Sequence, residues 1–114
     1  MNLDSFIKEL DAYEHEKEAS KIKEHLANWK NDNTDVYQLS SSIEKLFGNV
    51  WFQEEQSHQY LYSKWTEFQR FAIKGIGGLT VNERLYVFSL FDRYESVGGK
   101  SERAVLYAKI CAST

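Results

Sequence analysis

The sequence predicts an all-α fold: a single compact bundle of about five to six helices, forming one domain over residues 1–114. Three observations predict it. Apolar residues recur at helical spacing along nearly the whole chain. Proline, which breaks helix interiors by removing a donor and crowding the preceding turn, is absent. No segment alternates apolar and polar residues as a half-buried strand does, and residues 49–52 are the one place where an extended segment fits.

The elements follow in order. Leu3, Phe6, Ile7, Leu10 and Tyr13 form one helical stripe, and Ala19, Ile22, Leu26 and Trp29 form another. The stripes lie on different sides of a straight rod. The linking run Glu14-His15-Glu16-Lys17-Glu18 is made mostly of good helix formers. It therefore favours one long helix over residues 3–30 that offers its two ends to different neighbours, with a break as the alternative. Asn31-Asp32-Asn33-Thr34 is a polar turn, and the next helix starts near Asp35 with Val36, Leu39, Ile43, Leu46 and Phe47 inward. Gly48-Asn49 reads as its stop, glycine taking the left-handed conformation cheaply.

The strongest pattern is the seam Trp51, His58, Trp65 and Ala72, interleaved with Leu61 and Phe68. It predicts a helix of about 20 residues. Gly75, Gly77 and Gly78 end it, with Ile76 pinning the loop. Thr80-Val81-Asn82-Glu83 has the hydroxyl-to-carboxylate spacing of a capping box. It precedes a central helix apolar nearly all round: Val81, Leu85, Tyr86, Val87, Phe88, Leu90, Phe91 and Tyr94. Gly98-Gly99 stops that helix, and Ser101 caps a last one with Ala104, Val105, Ala108 and Cys111 inward.

Composition sets the class. With 114 residues, 42% of them hydrophobic and 15% aromatic, the chain buries one real core and has no room for a second. The single cysteine, Cys111, cannot close an internal disulfide, and a buried structural thiol is expected there. The start Met1-Asn2-Leu3-Asp4 lacks the basic and apolar segments of a secretory signal, and no apolar run approaches the ~20 residues of a membrane span. A cytoplasmic protein is expected. Residues 1–35 hold nine acids against five bases, and residues 36–114 eight against nine. This balance, net −3, lacks the basic stripe of a nucleic-acid binder.

Catalytic patterns are weak. Gly99-Lys100-Ser101 resembles the end of a P-loop, but the motif's first glycine falls on Tyr94, inside a helix. His15, His25 and His58 form no His-Glu-x-x-His pair and have no cysteine partner, so the spacing predicts no metal and no cofactor. His58, on the seam, reads as a hydrogen-bonded core-edge histidine. No enzyme is predicted.

The stretch Gly78-Leu79-Thr80-Val81-Asn82-Glu83-Arg84-Leu85-Tyr86, followed by Leu90-Phe91-Asp92, resembles the C-terminal part of small bacterial proteins. In style it also resembles the immunity proteins of polymorphic and contact-dependent toxin systems. The resemblance implies an inhibitor that binds one cognate toxin domain, a nuclease above all, and implies no catalytic residue. The acids expected to meet that partner are Glu14, Glu16 and Glu18, the densest acidic run, with Asp32, Asp35, Glu54 and Glu55 as further contacts. The competing expectation is a small helical regulatory or phage-encoded adaptor. A helix-turn-helix reader would need a basic recognition helix, and residues 100–111 offer only Lys100, Arg103 and Lys109.

Overall fold

The computed structural model describes residues 2–49 and 52–112. Among them the chain forms seven α-helices: α1 (Leu3–Asp11), α2 (Lys17–Asn31), α3 (Val36–Asn49), α4 (Glu55–Phe68), α5 (Val81–Val87), α6 (Phe91–Ser96) and α7 (Lys100–Lys109). A π-helical turn (Gln69–Lys74) continues α4, and a 3₁₀ turn (Ile76–Gly78) follows it. No strand occurs among the described residues, so the all-α class holds. The helix count exceeds the expectation because two of the expected helices each break in two.

The first break lies between α1 and α2. One straight helix would point its two stripes at opposite neighbours. The turn at residues 12–16 instead reverses the chain, so both stripes face a single core. Leu3, Phe6, Leu10, Ala19, Ile22, Leu26 and Trp29 are all buried. Ion pairs record the antiparallel register: Lys30 at the end of α2 reaches Asp4 at the start of α1 at 2.8 Å, and Lys23 pairs with Asp11. The expected single helix over residues 3–30 is therefore a helical hairpin.

α3 starts where the sequence placed it. The Asp35 carboxylate accepts from Gln38 N at 2.8 Å, and the Gln38 side chain accepts from Asp35 N at 2.9 Å, a reciprocal cap. Gly48 does not act as a left-handed stop: it lies inside α3, and no described glycine has a positive φ. Of the seam on α4, Leu61, Trp65, Phe68 and Ala72 are buried. His58 is half-buried, its ring nitrogen 3.0 Å from the Phe47 carbonyl. Trp51 and the centre of the expected extended segment 49–52 lie outside the described residues. The π turn shifts the helical phase, burying both Ala72 and Ile73 and leaving Phe71 54% exposed. Gly75 ends it because a Cβ there would sit 2.7 Å from the Phe71 carbonyl oxygen.

The capping box before α5 is complete, Thr80 Oγ accepting from Glu83 N at 3.1 Å and Glu83 accepting from Thr80 N at 2.9 Å. Those hydrogen bonds hold the Glu83 carboxyl below its ordinary range. Thr80→Ala is expected to cost about 1 kcal/mol, seen as a lower denaturation midpoint at unchanged slope. The helix then stops early. Ser89 takes the left-handed conformation at φ 56°, Ser89 N donates to Tyr86 O at 3.0 Å, and Leu90 N donates to Leu85 O at 2.8 Å. This is a Schellman end built on serine instead of glycine. It splits the expected central helix into α5 and α6 and leaves Tyr86 59% exposed.

α7 turns the other way from the sequence expectation. Its N-cap is Gly99, and Ala104, Val105, Ala108 and Cys111 are exposed. Leu106, Lys109 and Ile110 face inward. The periodicity favoured the alanine stripe because it scored lysine as a surface residue. Cys111, at φ 58°, closes α7 with a second Schellman end, Ala112 N donating to Tyr107 O at 2.7 Å.

An aromatic ladder joins the elements. Phe6 (α1) lies 5.9 Å from Trp65 (α4), Trp65 5.8 Å from Phe68, Phe68 5.5 Å from Phe88, and Phe88 5.6 Å from Trp29 (α2), centroid to centroid. Lys109 of α7 ends the ladder, its ammonium 3.8 Å above the Trp29 ring.

Candidate partner-binding surface

Glu16 organises the surface around the α1–α2 turn. It is 1% exposed, and its carboxylate accepts from Gln53 N at 2.9 Å and Glu54 N at 3.0 Å. α4 has no side-chain cap of its own. A carboxylate at that point satisfies two N–H groups at the helix entrance and complements the positive end of the helix dipole. This contact seats the α1–α2 turn on the start of α4. His15 then lies 3.4 Å from Glu54. Tyr13 packs against His15 and Tyr60 at centroid distances of 6.0 and 5.9 Å. The Tyr60 hydroxyl donates to Glu9 at 3.0 Å, and this bond raises the phenol pKa above its ordinary value. Glu54 joins this group through His15, and Glu14 and Glu55 are exposed.

The seven acids singled out in the sequence separate into two sets. Glu14, Glu16, Glu18, Glu54 and Glu55 gather near the start of α2, and Asp32 and Asp35 lie past its end. Fifteen helical residues put the ends of α2 about 22 Å apart. Within the first set, Glu16 is not part of the exposed acidic face, because it is buried as the cap of α4. Glu18 is half-buried and 3.5 Å from Lys21, and its Oε2 is buried without a hydrogen-bond partner.

Asp35 caps α3. Asp32 accepts from Thr34 N and Thr34 Oγ1 at 2.9 and 2.8 Å and lies 3.0 Å from the Lys109 ammonium. Burial pushes the Asp32 carboxyl pKa up, but the bonds from Thr34 and Lys109 outweigh it and the net shift is downward.

Sequence reasoning missed Tyr13, His15 and Tyr60 as a cluster, since only the chain reversal at residues 12–16 brings them to α4. It also missed the clasp around the α2–α3 turn. There Lys109 donates to the carbonyls of Trp29, Asp32 and Thr34 as well as to Asp32 Oδ1. Arg93 donates to the carbonyls of Lys30 and Asp32 and to Asn33 Oδ1.

A groove of about 510 Å³ runs along α4, lined in part by His58, Tyr62, Thr66 and Arg70. Two of its polar groups are engaged inside the fold, Tyr62 by Glu44 at 2.9 Å and His58 by Phe47 O. The bond to Glu44 raises the Tyr62 pKa. No described helix is long and apolar enough to cross a membrane. Comparison of the chain with protein-family models, curated proteins and solved structures finds no match.

Proposed function

We propose that this chain acts by binding another protein, and specifically that it is an immunity protein neutralising a cognate bacterial toxin domain of the nuclease class in the cytoplasm. One observation carries the reading: an aromatic cluster, Tyr13 with Tyr60, that meets Glu9 directly and Glu54 through His15, with Lys64 over the Tyr60 ring. Tyrosines anchor interfaces because they offer large rigid area at small entropic cost, and a rim of one charge steers a partner of the other. A nuclease presents a basic surface to phosphate, and an acidic rim complements it.

The alternative is a small helical regulatory or phage-encoded adaptor, and its helix-turn-helix form is disfavoured by Lys109. Its side chain is buried and bonded inside the fold, which leaves Lys100 and Arg103 as the cations of α7, and Arg103 lies over the Tyr94 ring at 5.2 Å.

The test is titration calorimetry with the toxin domain encoded beside this chain. A one-to-one complex of nanomolar affinity is expected, with association slowing as salt rises and screens the steering charges over about 10 Å. The triple variant Glu14→Lys/Glu54→Lys/Glu55→Lys is expected to weaken the complex at least about a hundredfold, a few kcal/mol, with the fold intact because all three side chains are exposed. An unchanged affinity would remove the patch from the interface.

A further inference from the structure

We propose that His15, Glu16 and Glu54 form a binding site for a divalent transition-metal ion of the zinc type. One ligand atom from each of the three side chains lies within 4.8 Å of the others. The residues come from segments 38 positions apart in the chain, so no local spacing reveals them.

Three observations carry the assignment. First, His15 Nε2 and Glu54 Oε1 are 3.4 Å apart, longer than the 2.7–3.2 Å of an ordinary hydrogen bond. Zinc bonds of about 2.0–2.2 Å in a tetrahedron put ligand atoms about 3.3–3.6 Å apart, so this pair already stands at the edge length of such a site. The side chains of His15 and Glu54 are 55% and 62% exposed and supply the adjustment that closes the other edges.

Second, Glu16 is a buried carboxylate with no basic side chain paired to it among the described residues. Two backbone N–H groups and the positive end of α4 already meet its charge, and a cation beside it would add to that compensation. Third, both Glu16 oxygens are fixed by backbone N–H groups, Oε1 by Gln53 and Oε2 by Glu54. A carboxylate has about four acceptor positions, so each oxygen keeps one for a metal. The two N–H bonds act as the outer shell that orients a ligand.

An imidazole with two carboxylates suits zinc and its neighbours, whereas calcium and magnesium favour all-oxygen sets. Ion entry is from the solvent side, through His15 and Glu54. Three protein ligands leave a fourth position for water.

The experiment is calorimetric titration of zinc chloride into the isolated full-length chain, so it stands apart from any partner. A Cys111→Ser background removes the exposed thiol as a competing ligand. One site of micromolar affinity or tighter is expected, and zinc should raise the melting temperature. His15→Ala and Glu54→Gln, both at exposed positions, should each weaken binding at least about tenfold and reduce the melting shift. His25→Ala should bind as the background does. Absence of a one-site isotherm at millimolar zinc would overturn the proposal. So would a site unaffected by both His15→Ala and Glu54→Gln, because the ion would then be held elsewhere.

Discussion

Trp65→Ala is expected to lower stability by roughly 3–5 kcal/mol, a large fraction of the ~5–15 kcal/mol of a domain this size. Trp65 is fully buried and stands in the middle of the aromatic ladder, between Phe6 of α1 and Phe68 of α4. Its indole N–H donates to Glu44 Oε1 at 3.1 Å. Truncation therefore opens a large cavity, separates α1 from α4, and takes one of the two aromatic donors from the Glu44 carboxylate. Phe88→Ala acts at the other contact of the ladder, between Phe68 and Trp29, with a similar cost. Urea unfolding of both variants is the measurement. Cooperative transitions with midpoints near the parent's would show that the ladder does not hold the core.

Lys109→Met is expected to cost about 2–4 kcal/mol. Methionine keeps the apolar stem but removes the ammonium. The Thr34 carbonyl then loses its donor, Asp32 loses its cation, and Trp29 loses the charge over its ring. The Asp32 carbonyl keeps Arg93 and the Trp29 carbonyl keeps Asp32 N, which limits the loss.

Burial pulls the Lys109 pKa down from 10.5 to about 8, against the opposing pull of Asp32. The pH dependence follows from that direction. Between about pH 8 and 10.5 the folded amine has released its proton while the unfolded chain still holds one, so this residue's contribution to stability rises with pH. The stability difference between the parent and Lys109→Met should therefore grow from pH 7.5 to about pH 9.5. Taking that difference cancels Cys111 and the tyrosines. A difference that stays flat or shrinks over that range would mean that the amine is held charged throughout.

The helices whose apolar stripe is uninterrupted were legible. α3, the α4 seam and the Thr80 box declare themselves because burial, cap chemistry and spacing agree locally. Three features were not legible. The hairpin at residues 12–16 is set by the need of two stripes to share one core, and propensity argued the other way. The end of α5 rests on a serine in a conformation usually taken by glycine, so no punctuation marks it.

Glu16 and Lys109 are charged residues that read as surface, and each is buried because backbone groups receive it, N–H groups for the carboxylate and carbonyls for the ammonium. The candidate surface was half legible for the same reason. Glu14, Glu54 and Glu55 are exposed acids that composition alone suggests. Tyr13, His15 and Tyr60 join them only through the fold.

Growth of cells that express a toxin domain encoded beside this chain, the proposed partner, tests the central claim most directly. Cells co-expressing this chain should survive. Cells co-expressing the Glu14→Lys/Glu54→Lys/Glu55→Lys variant should die although the variant accumulates as folded protein. Death at the same rate with and without the parent chain would contradict the account and bring the regulatory alternative forward.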